Sequence, residues 1–213
     1  MDSSPDFLSK YIDQVIYINL DRRTDRKAHI EEEFRKMGID RYERFTAIDR
    51  PGKGIVGCGY SHLAVLKQAK ERQLSSVLIF EDDFTFVVSP EEFRENIRQF
   101  FESPVHSNYD VCMLAYNLHE SEPCPDAPFL WRILYAQTAS GYLVHSRYYD
   151  QIIQLYEWAL PLLESTGHHW IYANDVIWRK LQAKDRWVCF SQRIGRQIDG
   201  FSDNANCYMN YNC

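Results

Sequence analysis

Three adjacent carboxylates, Glu81, Asp82 and Asp83, close the apolar run at residues 77–80. Like charges this close repel one another and lose hydration at a sheet end, so a cation must offset them, either Lys/Arg or a divalent metal. Carboxylate oxygens are hard ligands and favour Mg2+ or Mn2+. Side chains alternate along an extended chain, which predicts that Glu81 and Asp83 point one way and share the ion. Asp82 then points the other way and holds a ligand hydroxyl or the loop itself. Taken alone, the same three residues also read as an acidic turn after a strand.

Two further groups carry chemistry. Arg22, Arg23 and Arg26 follow the apolar residues 14–20 and surround the start of the next helix, where backbone amides already favour anions. A phosphate fits there, and a solvated charged turn is the alternative. Asp175 follows His168, His169, Trp170 and Tyr172, side chains suited to packing on a sugar, and opens a predicted helix. That position keeps it ionised and makes it a candidate general base, although Asn174 or Asp175 could simply cap the helix. Asp199 and Asp203, in a glycine-interrupted loop at 192–203, are rivals for the role. His62 reads as a structural residue tying a loop to a helix.

The elements that must position these groups alternate strand and helix, as in an α/β sheet whose ligands collect at the carboxyl ends of its strands. Residues 77–80 read as a strand buried on both faces in the middle of a parallel sheet. Residues 14–20 form the first strand. Thr24 or Asp25 caps the following helix, Ile30, Phe34 and Met37 face inward, and Gly38 ends it. A second strand at 42–48 leads into a glycine-rich loop at 49–59, and the next helix opens at Ser61 and His62. The loop is not of the Walker type, because no Gly-Lys-Ser/Thr follows. Ser89, Pro90 and the pair Glu91-Glu92 start another helix. Residues 109–115, 131–137 and 187–190 read as strands. Residues 120–129 read as a polar loop forming an acceptor lip, and 138–145 as a small-residue turn leading to a helix at 149–160.

A chain of 213 residues, 45% hydrophobic, fits a single domain over 1–213, and its aperiodic tail at 204–213 suits a piece cut from a longer protein. The formal charge of -6 argues against a general nucleic-acid binder. Six cysteines without metal-ligand spacing or a dense pattern read as reduced thiols. The N-terminus has no basic segment followed by an apolar one, and no apolar run reaches membrane-spanning length, so the expected location is cytoplasmic.

The ordered motifs resemble glycosyltransferase family 25, which includes lipooligosaccharide and procollagen galactosyltransferases. The resemblance rests on Val15-Ile16-Tyr17-Ile18-Asn19-Leu20-Asp21-Arg22-Arg23-Thr24-Asp25-Arg26, on Gly57-Cys58-Gly59-Tyr60-Ser61-His62, and on Glu81-Asp82-Asp83; 138–142 and Gly200-Phe201-Ser202-Asp203 are similar to two later segments. It implies a GT-A fold, a Rossmann-like mixed sheet flanked by helices, binding a UDP-sugar. Asn19, Leu20, Asp21, Arg22, Arg23, Arg26, Ser61 and Asp82 would hold the nucleotide sugar, while Glu81 and Asp83 would hold Mn2+ or Mg2+. Asp175 would be the base. The implied activity is transfer of a hexose or deoxyhexose to a glycan or glycoprotein hydroxyl. A catalytically silent sugar-nucleotide or glycan-binding module of a larger protein is the alternative. Domains of this kind occur in large viruses, for which the location would be the host cytoplasm.

Overall fold

The computed structural model describes residues 7–202 and 207–209. Asp203 and most of the tail at 204–213 lie outside the described residues. Eight strands form one mixed sheet: β1 (Gln14–Asn19), β2 (Glu43–Thr46), β3 (Ser76–Glu81), β5 (Val111–Met113), β6 (Asn117–Pro123), β7 (Leu130–Gln137), β8 (Gly141–His145) and β9 (Trp187–Phe190), in the order β2-β1-β3-β8-β5-β9-β7-β6. β4 (Phe84–Phe86) pairs with β10 (Gly195–Gln197), and β11 (Gly200–Ser202) with β12 (Cys207–Met209).

Period-two alternation splits the sheet's apolar residues between two cores. Ile16, Ile18, Val77 and Ile79 face α2 (Gly54–Glu71) and α4 (Tyr149–Thr166), where Leu66, Tyr156 and Leu160 complete the cluster. Val15, Tyr17, Leu78 and Phe80 face the opposite way, onto α1 (Thr24–Met37) and α3 (Pro90–Glu102) through Phe34, Phe93 and Phe100. With both faces covered, β3 is buried along its length until Glu81. It pairs in parallel with β1 but antiparallel with β8, so the sheet around it is mixed rather than parallel. Ser89 and Glu92 close a capping box at the start of α3, as the sequence pattern predicts.

Several expectations change. The N-cap of α1 is Arg23, with no side-chain capping bond, so neither Thr24 nor Asp25 serves there; Gly38 ends the helix in the left-handed conformation as expected. The stretch 49–59 is not all loop, since α2 begins at Gly54 and Ser61 and His62 lie in its interior. Gly52 takes a turn at φ +74°, whereas the glycines at 57 and 59 serve close contact. A Cβ on Gly57 would lie 2.3 Å from the Ile48 carbonyl oxygen, and one on Gly59 would lie 2.4 Å from Leu160 Cδ2. The expected lip at 120–129 is largely the edge strand β6 and its turn, with Pro123 at the strand's end where a missing N–H costs nothing. Residues 141–145, read as part of a turn, form the central strand β8. Past α5 (His169–Tyr172), the single helix expected from 175 is broken into α6 (Asn174–Ile177) and α7 (Arg179–Gln182).

Candidate active site

The carboxyl ends of β1 and β3 and the first turns of α1 and α2 enclose a cleft. Its walls include Asn19, Leu20, Arg22, Arg23 and Arg26 together with Cys58, Glu81, Asp82, Asp83 and Gln197. Tertiary structure thus joins the basic and acidic stretches, which lie more than fifty residues apart in sequence.

Asp82 and Asp83 occupy a tight turn just beyond β3, and that turn breaks strict alternation: both carboxylates reach Arg26, whose Nη1 donates to Asp83 Oδ2 at 2.9 Å and Asp82 Oδ1 at 3.2 Å. The three side chains are only 12%, 10% and 6% exposed, for Arg26, Asp82 and Asp83. Asp82 also accepts from Asn19 Nδ2 at 2.7 Å, pinning the turn to the end of β1, the loop-holding role its position predicted. Glu81 and Asp83 share a partner, Gln197, whose Nε2 lies 3.5 Å from Glu81 Oε2 and 3.4 Å from Asp83 Oδ1. The other Glu81 oxygen meets His62 Nε2 at 2.9 Å and accepts from the Cys58 thiol at 3.4 Å.

Burial is the main force on these acids, and the neighbours decide how far it wins. Asp83 is pushed up to about 7 by burial and by Glu81, against the pull of Arg26. Asp82 is raised by burial despite the Asn19 bond and Arg26. Burial acts upward on Glu81 too, but the His62 bond and charge, Cys58 and Arg26 outweigh it and hold the carboxyl below its ordinary value.

The remaining expected site residues divide. Arg22, Arg23 and Leu20 line the cleft; Arg22 pairs with Asp49 and Arg23 with Asp25 at 2.9 Å. Asp21 is not on the wall and bonds Arg44 Nη2 at 2.6 Å. Ser61 does not reach the cleft either: fully buried, it donates to the Gly57 carbonyl at 2.7 Å and accepts from Ile48 N at 2.8 Å, so it shapes the wall from behind. A ligand-contact role for Ser61 is therefore replaced by a positioning one. Asp175 is not the N-cap of α6, which is Ala173, but lies in the first turn of that one-turn helix. Its Oδ2 accepts at 3.2 Å from the N–H of Thr138, whose own backbone is held at φ +88°. Burial raises its carboxyl, with Glu81 adding to the effect and the Thr138 bond opposing it. It is not part of the cleft wall.

Sequence reasoning missed Cys58 and Gln197 and left His62 without a partner. The signal for Cys58 and His62 was their four-residue spacing, which puts both on one helix face once the helix is begun at Gly54. Gln197 carried no signal, because β10 reaches the site through tertiary contacts, its pairing with β4 and backbone bonds at its ends to Leu114 and Asp83.

Glu81, Asp82 and Asp83 match a divalent cation in charge and donor chemistry, although among the described residues the three ligand atoms that come within 4.8 Å of one another are those of Cys58, His62 and Glu81 and not those of the acidic triplet. If all three are ionised, Arg26 leaves an excess of two negative charges, and every free donor on them is a hard oxygen.

No family model matches the chain. It is 33% identical to the R655 protein of Acanthamoeba polyphaga mimivirus, whose glycosyltransferase assignment is provisional, over 39% of this chain and 32% of that protein. It is 27% identical to a glycosyltransferase 25 family member of Drosophila melanogaster, over 68% of this chain and 28% of that protein. The chain spans less than a third of either relative's length. Its fold is similar to that of a glycosyltransferase involved in glycosylation of the major capsid of PBCV-1, with a TM-score of 0.52, 11% identity, and 91% of this chain and 95% of that one covered. The fold is α/β of GT-A type.

Proposed function

We propose that the chain is a metal-dependent glycosyltransferase that moves a hexose or deoxyhexose from a UDP-sugar to a glycan hydroxyl. The observation that carries this reading is the cleft itself: three carboxylates at the end of β3 face the arginines at the start of α1, with one guanidinium between them. The names of the two relatives support the class of reaction, and the Drosophila relative supports a family 25 placement.

Mn2+ or Mg2+, held by Asp83 and Glu81, would neutralise the leaving diphosphate. The chain's own residues supply the rest. Arg22 and Arg23 and the first amides of α1 attract the diphosphate. Asn19 and Arg26 fix Asp82 and Asp83, so the acidic turn is set before the donor arrives. Asp175, off the cleft wall but next to Asn174, which contacts Cys58 on that wall, takes the acceptor hydroxyl's proton as the acceptor oxygen bonds the sugar carbon and the bond to diphosphate breaks. Its raised carboxyl and its independence of Arg26 support the role of base, since a base works best with a proton affinity near the working pH.

Calorimetric titration with UDP in chelator and then in Mn2+, followed by a UDP-sugar panel read as released UDP, tests the proposal. Binding should collapse in chelator and return with the ion. Equal affinity in both removes the metal. Metal-dependent UDP binding with no UDP released from any donor in the presence of glycan acceptors makes the chain a silent sugar-nucleotide module.

A further inference from the structure

We propose that Cys58, His62 and Glu81 form a second cation site, one for a thiophilic divalent ion of the Zn2+ class, which meets the proposed oxygen-liganded ion at Glu81. One donor atom from each of the three lies within 4.8 Å of the other two. Cys58 and His62 are one turn apart on α2 and project from the same face, while Glu81 meets them from the end of β3. Zinc bonded to S, N and O at ordinary lengths sets tetrahedral donors about 3.3–3.6 Å apart. Glu81 Oε1 already lies 2.9 Å from His62 Nε2 and 3.4 Å from Cys58 Sγ, so rearrangements of a few tenths of an ångström suffice along both of these edges.

The surroundings are those of a ligand set. The other His62 nitrogen, Nδ1, lies 2.7 Å from the Tyr142 hydroxyl, and the two rings stack with centroids 5.7 Å apart, which fixes the imidazole's orientation. Ligating histidines are characteristically held this way through their second nitrogen. Asn174 Nδ2 donates to Cys58 Sγ at 3.7 Å and steadies the sulfur. Three protein donors leave one tetrahedral position, and it opens toward the cleft, because Cys58 and Glu81 both line it. The mixed donor set selects against Mg2+ and Mn2+, which prefer oxygen alone. On binding, the Cys58 S–H bond and the His62 Nε2–H bond that faces Glu81 both break, the protons leave to solvent through the cleft, His62 stays protonated on Nδ1 toward the Tyr142 hydroxyl, and the thiolate sulfur and Nε2 bond the metal.

The binding claim rests on the three side chains alone. Its consequence, that Zn2+ draws Glu81 away from Asp83 and antagonises Mn2+-supported UDP binding, rests on the proposed function.

Co2+ serves as the spectroscopic probe for Zn2+. Titration of the full chain should give a thiolate-to-cobalt charge-transfer band with intense tetrahedral visible absorption at one equivalent. Zn2+ should bleach both. The bands should vanish in Cys58→Ser, fall at least tenfold in affinity in His62→Gln, and persist in Asp83→Asn. Should His62→Gln fail to fold, mapped alkylation of the wild-type protein decides: Zn2+ should slow Cys58 labelling at least tenfold while leaving Cys124 unchanged. No charge-transfer band, a band unaffected in Cys58→Ser, or equal labelling with and without Zn2+ overturns the site. A Co2+ band in a protein that never binds UDP would sink the proposed function and leave this site standing; metal-dependent UDP binding without the band does the reverse.

Discussion

Replacing Arg26 with Met keeps an aliphatic stem and removes the guanidinium, with the charge and the hydrogen bonds that Asp82 and Asp83 share. All three side chains are at most 12% exposed, and the contacts are 2.9 and 3.2 Å, so solvent screens them little. Breaking a buried pair by removing one partner costs about 3–5 kcal/mol. Asp83 recovers part of that by taking up a proton, since its carboxyl already sits up at about 7. The expected loss near neutral pH in chelator is therefore about 2–4 kcal/mol, equivalent to a Tm lower by about 4–16 °C for a chain of this size. Urea unfolding with and without Mn2+ measures it. Because the dication compensates the same carboxylates, saturating Mn2+ should stabilise the variant by more than it stabilises wild type. Adding Asp83→Asn should return part of the lost stability, as the repulsion it relieves is what the missing guanidinium left behind. Stability within about 0.5 kcal/mol of wild type in chelator would refute the assignment of Arg26 as the resident counter-charge.

Arg22→Ala should leave stability within about 0.5 kcal/mol of wild type, because its pair with Asp49 is exposed, yet weaken UDP binding; unchanged UDP affinity makes this residue part of a solvated turn. Gly57→Ala, normally worth up to about 1 kcal/mol of added stability inside a helix, should instead destabilise by about 1–3 kcal/mol because the Ile48 backbone cannot yield to the new Cβ. A stabilised variant in urea unfolding would show that α2 does not pack that closely. Asp175→Asn should keep its oxygen on Thr138 N, its fold and its donor affinity, and lose at least about a hundredfold in kcat. Since the base acts deprotonated and burial raises its carboxyl, wild-type kcat should fall on the acid side at a higher pH than an ordinary aspartate would give, and the acid limb should disappear in the residual activity of the variant. Near-normal kcat, or an acid limb unchanged in the variant, would leave Asp175 only the Thr138 contact.

Local chemistry was legible in the sequence wherever neighbours in the chain decide the outcome. The apolar run of β3 ending in three carboxylates, the inward face of α1 at Ile30, Phe34 and Met37, the Gly38 stop and the Ser89 capping box all depend on period, cap or backbone freedom within a few residues. The demand of the acidic triplet for a cation was likewise fixed by its charges. Tertiary structure decided which side chains meet the triplet. Arg26 answers Asp82 and Asp83 from 56 and 57 residues away, His62 answers Glu81 from 19 away, and Gln197 arrives on a strand placed by β4 and by the Leu114 carbonyl. It also decided the meaning of the glycines at 57 and 59, since the surfaces that forbid a Cβ belong to Ile48 and Leu160 and carry no trace in the local pattern. The five residues of β8 read as a turn because Gly141 and its small neighbours favour turns, and became a central strand because β3 and β5 both leave hydrogen-bonding edges for them to fill. Asp175 shows the same division: the sequence could offer it a helix N-terminus, but the burial that raises its carboxyl and the Thr138 amide that holds it exist only in the folded chain.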